Sequence, residues 1–292
     1  MQATSSSSFC GLWIPLVTPF LRDGAVDHAA LRTLVQRLAG DGIAGFVVCG
    51  STGEAAALDE GEQLAVLDTV AAAAPELPRI MGVCGYHLGK MLGWIERLNQ
   101  RALAGLLVPA PHYIRPSQDG LLQWFEAIAK AAAAPIVVYD IPYRTGATLT
   151  LETLLRLAAH PQIRAIKDCG GDARKTQALI ADGRLAVLAG EDAQIFASVA
   201  QGGAGAIAAS AHVKTRQFAQ VIEHLRAGRL EEARGQWQPL LPLIELLFAD
   251  ANPGPLKALL ARGGLIQEAL RAPMTRASDA VRESLAQLLS RR

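Results

Sequence analysis

The chain has little cysteine and no paired cysteines. Across 292 residues only Cys10, Cys49, Cys84 and Cys169 occur, far apart and without a Cys-x-x-Cys pair, so neither a zinc site nor a disulfide framework is indicated. A reducing cytoplasm fits that usage. Charge is also sparse and balanced: 19% of residues are charged, the formal net charge is +1, and no dense Lys/Arg run is present. Such a chain generates no field that would gather nucleic acid or an anionic membrane. No uninterrupted apolar stretch reaches the roughly 18–20 residues that a bilayer span requires. The start, Met1 to Ser8, lacks a basic n-region and a continuous apolar h-region, so 1–8 reads as a disordered lead-in and not as an export signal. The partners left are small molecules and further copies of the chain.

What the chain has is apolar content arranged with a cadence. Hydrophobic residues make up 51% of it, enough to bury a large core. Short apolar runs of strand character recur at 12–17, 43–49, 79–84, 105–108, 135–139, 163–167, 185–189 and 204–208. They do not alternate with polar residues, which suits strands covered on both faces. Helical patterns lie between them. Asp27 precedes Leu31, Leu34, Val35 and Leu38, with Gly40 as the stop. Asp59 and Glu62 have capping-box spacing ahead of Leu64 and Leu67. Pro116-Ser117, Thr150 and Lys214 open three more. Strand–helix units repeated eight times predict an α/β fold, a (β/α)8 TIM barrel over 9–229. From about Leu230 the pattern turns to helices alone, predicting a C-terminal helical extension over 230–292 packed on the barrel.

In such a barrel, chemistry gathers at the carboxyl ends of the strands. Run two ends in Gly50-Ser51-Thr52-Gly53-Glu54, run four leads to Tyr113-Ile114-Arg115-Pro116-Ser117, and run five ends in Tyr139-Asp140-Ile141-Pro142-Tyr143-Arg144-Thr145-Gly146. Run six ends in Lys167. A lysine against apolar surroundings loses hydration of its charged form; its pKa falls and a nucleophilic amine becomes available for imine formation with a keto acid. Taken singly, each group has a plainer reading: Lys167 snorkelling beside Asp168, Gly50–Gly53 as a tight turn, Tyr139 as a core aromatic, Tyr113 as a loop aromatic, Arg144 as a surface charge. Their joint placement at one face favours chemistry.

These four stretches resemble the dihydrodipicolinate synthase / N-acetylneuraminate lyase family of pyruvate-dependent class I aldolases, from about Gly11 to the C-terminus. The resemblance implies that Lys167 forms a Schiff base with pyruvate and that Tyr139 shuttles protons above it. The turn Gly50 to Glu54, with Thr52 and Gly53, would hold the pyruvate carboxylate, Ser51 and Tyr113 would complete a hydroxyl relay with Tyr139, and Gly190 and Ile207 would lie beside the imine. The stretch from Tyr139 to Gly146 is similar to the synthase pattern Tyr-Asn-x-Pro-x-Arg-Thr-Gly, in which Arg144 would recognise the carboxylate of aspartate semialdehyde. Tyr113 with Arg115-Pro116-Ser117, and Asn252-Pro253-Gly254-Pro255-Leu256-Lys257, match the same branch. In that branch Tyr113 reaches into a neighbouring subunit's site.

Implied, then, is condensation of pyruvate with aspartate semialdehyde in the diaminopimelate/lysine pathway, without cofactor or metal, by a cytoplasmic homotetramer built as a dimer of dimers. Ser51 stands where synthases carry threonine. Asp140 stands where they carry asparagine, and it would favour a cationic Lys167 if it faced inward. By the same resemblance, Lys90, Tyr86 and His112 occupy the acidic, asparagine and tyrosine positions that bind lysine in feedback-inhibited members, so little lysine inhibition is expected. The alternatives are a lyase acting on N-acetylneuraminate or a 2-keto-3-deoxy acid, a non-catalytic keto-acid binder, and a phosphate-binding barrel using Gly202-Gly203-Ala204-Gly205.

Overall fold

The computed structural model of the chain describes residues 9–290, and the lead-in expected at 1–8 lies outside them. Eight strands close into a barrel in sequence order, with parallel pairing in every register given below. They are β1 (Gly11–Pro15), β2 (Gly45–Val48), β3 (Arg79–Gly82), β4 (Gly105–Pro109), β5 (Ile136–Asp140), β6 (Ile163–Asp168), β7 (Ala186–Ala189) and β8 (Gly205–Ile207). Each falls on one of the eight apolar runs. All residues of β2 and β5 are buried, as expected for strands covered by side chains inside and helices outside.

Packing divides the described residues into two compact units, 9–11 with Val83–Ala206 and 12–82 with 207–290. The first unit carries β4 to β7 and most of β8. Within it the register sets Tyr139 opposite Lys167 and Asp140 opposite Asp168. The helices Leu88–Leu98, Ala173–Asp182 and Ile195–Ala200 belong here and were not anticipated from the apolar spacing. Helix Gln118–Ala131 begins at Ser117, whose hydroxyl accepts from the Gly120 N–H, and helix Leu151–Leu157 begins at Thr150 in the same manner. Such caps contribute about 1 kcal/mol each by satisfying an otherwise orphaned donor.

The second unit carries β1 to β3. Helix His28–Ala39 is capped by Asp27 and buries Leu31, Leu34, Val35 and Leu38. Removing each of those side chains from water contributes about 1.5–3 kcal/mol. Helix Glu60–Ala73 has the full capping box, Asp59 with Glu62. Gly40 ends its helix in a right-handed conformation, φ −79°, so no left-handed turn is used there. After helix Thr215–Arg226 only helices follow: Leu230–Trp237, Leu241–Leu247, Gly254–Arg262 and Asp279–Ser290. They pack on their own unit: the Phe218 and Trp237 rings meet edge to face at 6.3 Å, and Gln217 donates to the Gln236 carbonyl at 2.7 Å. Among the described residues, no helix is long and apolar enough to cross a membrane.

Candidate active site

In the first unit, strand alternation decides which side chains meet. Tyr139 and Lys167 are register partners on neighbouring strands and share a face; Lys167 Nζ donates to the Tyr139 hydroxyl at 3.3 Å and lies 4.4 Å from the ring centroid. Both are buried, at 5% and 8% exposure, which an amine and a phenol tolerate only with a partner. Asp140 and Asp168, one residue on, face the opposite way, towards helix Ala173–Asp182. Lys175 on that helix donates to Asp140 at 2.5 Å and to the Leu149 carbonyl at 3.1 Å, while Thr176 donates to Asp168. Asp140 therefore does not point at Lys167. Burial raises the Asp140 carboxyl above its usual range, with the Lys175 ammonium opposing.

The expected fall of the Lys167 pKa is corrected by its surroundings. Burial lowers it, but Tyr139, Cys169 and Asp192 act in the other direction and carry it above the ordinary lysine value. A buried ammonium beside groups that can bear negative charge keeps its proton. Burial pushes the Cys169 thiol up, so it does not compete as a thiolate near neutral pH.

Gly190, at the end of β7, is required by close approach. A Cβ there would overlap Cys169 Sγ and stand 2.8 Å from Lys167 Cγ, so the strand can lie against the lysine stem only without a side chain. Glu191 follows directly. Its Oε1 accepts from the Tyr143 hydroxyl at 2.8 Å. Arg144 is exposed, its guanidinium 5.9 Å from the Tyr143 ring. Tyr113 is 86% exposed at φ +74°, its N–H donating to the Thr145 carbonyl. In the described chain, then, Tyr113 stands in solvent and is not joined to the buried Lys167–Tyr139 pair.

The second unit holds the turn after β2. Thr52 and Gly53 are buried and Ser51 is exposed. Thr52 Oγ1 accepts from the Asn252 amide at 3.0 Å, and Thr18 donates to the Gly53 carbonyl at 2.7 Å. A Cβ on Gly53 would come 2.9 Å from the Leu16 carbonyl, so glycine lets the turn fold back on the chain after β1. Glu54, left-handed at φ +54°, is paired with Lys257 and accepts from the Arg271 N–H. Ile207 is buried at the end of β8. Gly203 and Gly205 are both occupied by backbone packing, against Ser198 and Gly11 respectively, which accounts for that glycine cluster without a ligand.

Glu191, Tyr143, Cys169 and the Glu54–Lys257 pair were not picked out from the sequence. Glu191 was within reach of the same rule that found Lys167, because it lies two residues past the end of β7. Among the described residues, no group of three or more His, Cys, Asp or Glu is arranged to hold a metal ion.

Comparison with known proteins identifies the family of the chain. Residues 8–292 match the model of the dihydrodipicolinate synthetase family. The chain is 39% identical to a 4-hydroxy-tetrahydrodipicolinate synthase of Sorangium cellulosum over 96% of its own length and 95% of that protein's. It is 35% identical to 4-hydroxy-tetrahydrodipicolinate synthase 2 of Clostridium acetobutylicum, over 96% and 99% of the two chains. A crystal structure of the chloride-inhibited dihydrodipicolinate synthase of Acinetobacter baumannii, complexed with pyruvate, superimposes with a TM-score of 0.93 at 31% identity, covering 96% of this chain and 98% of that one. A family match over nearly the whole length, on a barrel with a buried lysine–tyrosine pair, places this chain in the dihydrodipicolinate synthetase family.

Proposed function

We propose that the chain condenses pyruvate with aspartate semialdehyde to give 4-hydroxy-tetrahydrodipicolinate. The observation that carries this reading is the buried Lys167 amine 3.3 Å from the Tyr139 hydroxyl at the carboxyl ends of β6 and β5. The two groups form a coupled pair: the ammonium hands its proton to Tyr139 in its phenolate form, leaving a free amine beside a phenol. Neutral Lys167 adds to the keto carbon of pyruvate; the carbinolamine oxygen is protonated through Tyr139 and leaves as water, giving the imine. Loss of a methyl proton yields an enamine, whose carbon attacks the aldehyde. The substrate's own amine then displaces Lys167 and closes the ring. A positioned proton shuttle of this kind contributes about 10² to 10⁴ in rate. Neither metal nor cofactor enters any step.

Ser51, Thr52 and Gly53 are assigned to the pyruvate carboxylate, Gly190 and Ile207 to the walls beside the imine, and Arg144 to the aldehyde's carboxylate by a two-pronged, charge-assisted contact. The exposure of Tyr113 suits a residue used by a second copy, and we assign the assembly as a homotetramer of two dimers in the cytoplasm. Residues 9–229 form the catalytic barrel and 230–292 an extension that braces it. The relatives named as synthases do not favour the sugar-acid alternative.

A coupled assay decides the substrate. Aspartate semialdehyde with pyruvate should turn over, while N-acetylneuraminate and 2-keto-3-deoxy acids should not be cleaved at comparable rates. Cleavage of a sugar acid with no condensation would overturn the reading.

A further inference from the structure

We infer that Lys175 is a positioning residue for imine formation: by neutralising Asp140 on the outer face of the barrel wall, it holds the ends of β5 and β6 at the separation that sets Tyr139 against Lys167. The inference rests on the imine chemistry proposed above. Successive residues of a strand point to opposite sides, so the rung that turns Tyr139 and Lys167 one way is followed by a rung that turns Asp140 and Asp168 the other. Two carboxylates thus stand as register partners one residue beyond the reacting pair. Like charges directly opposite on neighbouring strands repel. Here they do so where screening by solvent is weak, with Asp140 1% and Asp168 9% exposed.

Helix Ala173–Asp182 meets these carboxylates with two consecutive residues. Lys175 Nζ donates to Asp140 at 2.5 Å, and the Thr176 hydroxyl donates to Asp168. Of the two donors, only Lys175 brings a charge. The cluster lies tight against the chain leaving β6: a Cβ on Gly170 would stand 2.7 Å from Asp140 Oδ2, 2.8 Å from Lys175 Nζ and 3.2 Å from Asp168 Oδ1. The two carboxylates and the ammonium therefore meet at one glycine. The Cys169 N–H donates to the Asp140 carbonyl at 2.8 Å, so a displacement of Asp140 passes directly to the backbone that carries Lys167. The same ammonium donates to the Leu149 carbonyl at 3.1 Å and so anchors the chain that leaves β5. Lys175 acts on the 3.3 Å contact between Lys167 and Tyr139 through the strands, from the other side of the wall. The charged groups facing Asp140 are Lys175 from the helix and Asp168 from β6. Burial raises the Asp140 carboxyl, Lys175 lowers it and Asp168 raises it.

The test times the formation of the borohydride-trapped pyruvate adduct in the intact enzyme. Lys175→Met should slow it at least about tenfold at about pH 8, since a misplacement of about 1 Å costs up to about 10² in rate. The ratio of variant to unaltered rate should fall between about pH 6 and 8, because Asp140 in the variant is neutral at the lower pH and carries an unopposed charge at the higher. Lys175→Met/Asp140→Asn removes both charges and should return the rate to within about threefold at each pH, as replacement of a whole buried pair is often neutral. A ratio independent of pH, or a double variant no faster than the single one, would overturn the inference. If circular dichroism shows Lys175→Met unfolded, the double variant decides alone: folded and within about threefold supports the inference, unfolded or about tenfold slow overturns it. No adduct in the unaltered enzyme would sink the proposed function and this inference with it, whereas equal rates in all three proteins would sink this inference alone.

Discussion

Lys257 and Glu54 form an ion pair whose two side chains are wholly shut off from solvent. Lys257 sits in helix Gly254–Arg262, and its Nζ also donates to the Ala269 carbonyl at 3.0 Å and rests 4.2 Å from the Phe20 ring centroid. Glu54 closes the turn that contains Thr52. Asn252, five residues before Lys257, holds Thr52, and Arg271 grips Glu62 by two hydrogen bonds of 2.6 and 2.7 Å. The C-terminal helices therefore set the conformation of a turn some two hundred residues earlier in the chain. Burial disfavours the Lys257 ammonium, and Glu54 opposes that effect.

Breaking the pair from one side leaves a buried charge without a counterion. Lys257→Met is expected to cost about 3–5 kcal/mol in urea unfolding monitored by circular dichroism. The double variant Lys257→Met/Glu54→Gln should recover a large part of that loss. If the double variant is no more stable than the single one, the cost comes from packing and not from charge.

His212 gives the molecule an acid limit. Its Nδ1–H donates to the Ala209 carbonyl at 2.9 Å and its Nε2 accepts from the Val17 N–H at 3.2 Å, an arrangement only the neutral ring can make. Burial pulls its pKa down from 6.5 to about 4. The unfolded chain thus binds a proton that the folded chain refuses between those values. The stability is fully present above pH 6.5 and falls as pH drops towards 4, by up to about 3 kcal/mol. Urea midpoints at pH 7.5, 6, 5 and 4.5 should decline along this window, and His212→Gln should show a flatter decline from a lower starting stability. An unchanged slope in the variant would assign the acid sensitivity elsewhere.

For Arg144, the expected signature is a split between the two half-reactions. Arg144→Ala should raise KM for aspartate semialdehyde by about 10² while leaving the pyruvate adduct nearly intact, since a charge-assisted bidentate contact is worth roughly 1.5–3 kcal/mol. Parallel loss of adduct formation and aldehyde use would contradict that role.

Feedback by lysine should be weak. Tyr86 and His112 meet edge to face at 5.2 Å, and Lys90 is exposed at the start of helix Leu88–Leu98. An aromatic pair and a cation offer no counter-charge to a lysine ammonium. Turnover titrated with lysine should remain above half its starting value through the sub-millimolar range; half-maximal inhibition there would contradict this.

All eight strands were legible because parallel strands buried on both faces need continuous apolar runs, and the chain supplies them at regular spacing. The caps at Asp27, Asp59, Ser117 and Thr150 were legible for a local reason: each satisfies a backbone donor within three residues. Helix Ala173–Asp182 was not, because Lys175, on its buried face, is charged and owes its burial to Asp140 on a strand 35 residues away. The same holds for Lys257 and Glu54. Side-chain direction at Asp140 depended on strand register, and the pKa of Lys167 depended on neighbours at 139, 169 and 192, none of which a local pattern encodes.

The most direct measurement is intact-mass spectrometry after borohydride reduction with pyruvate. The enzyme should gain one reduced pyruvate adduct, mapped by peptide analysis to Lys167, and Lys167→Ala should gain none. An adduct that persists in Lys167→Ala, or its absence from the unaltered enzyme, would contradict imine chemistry at this lysine.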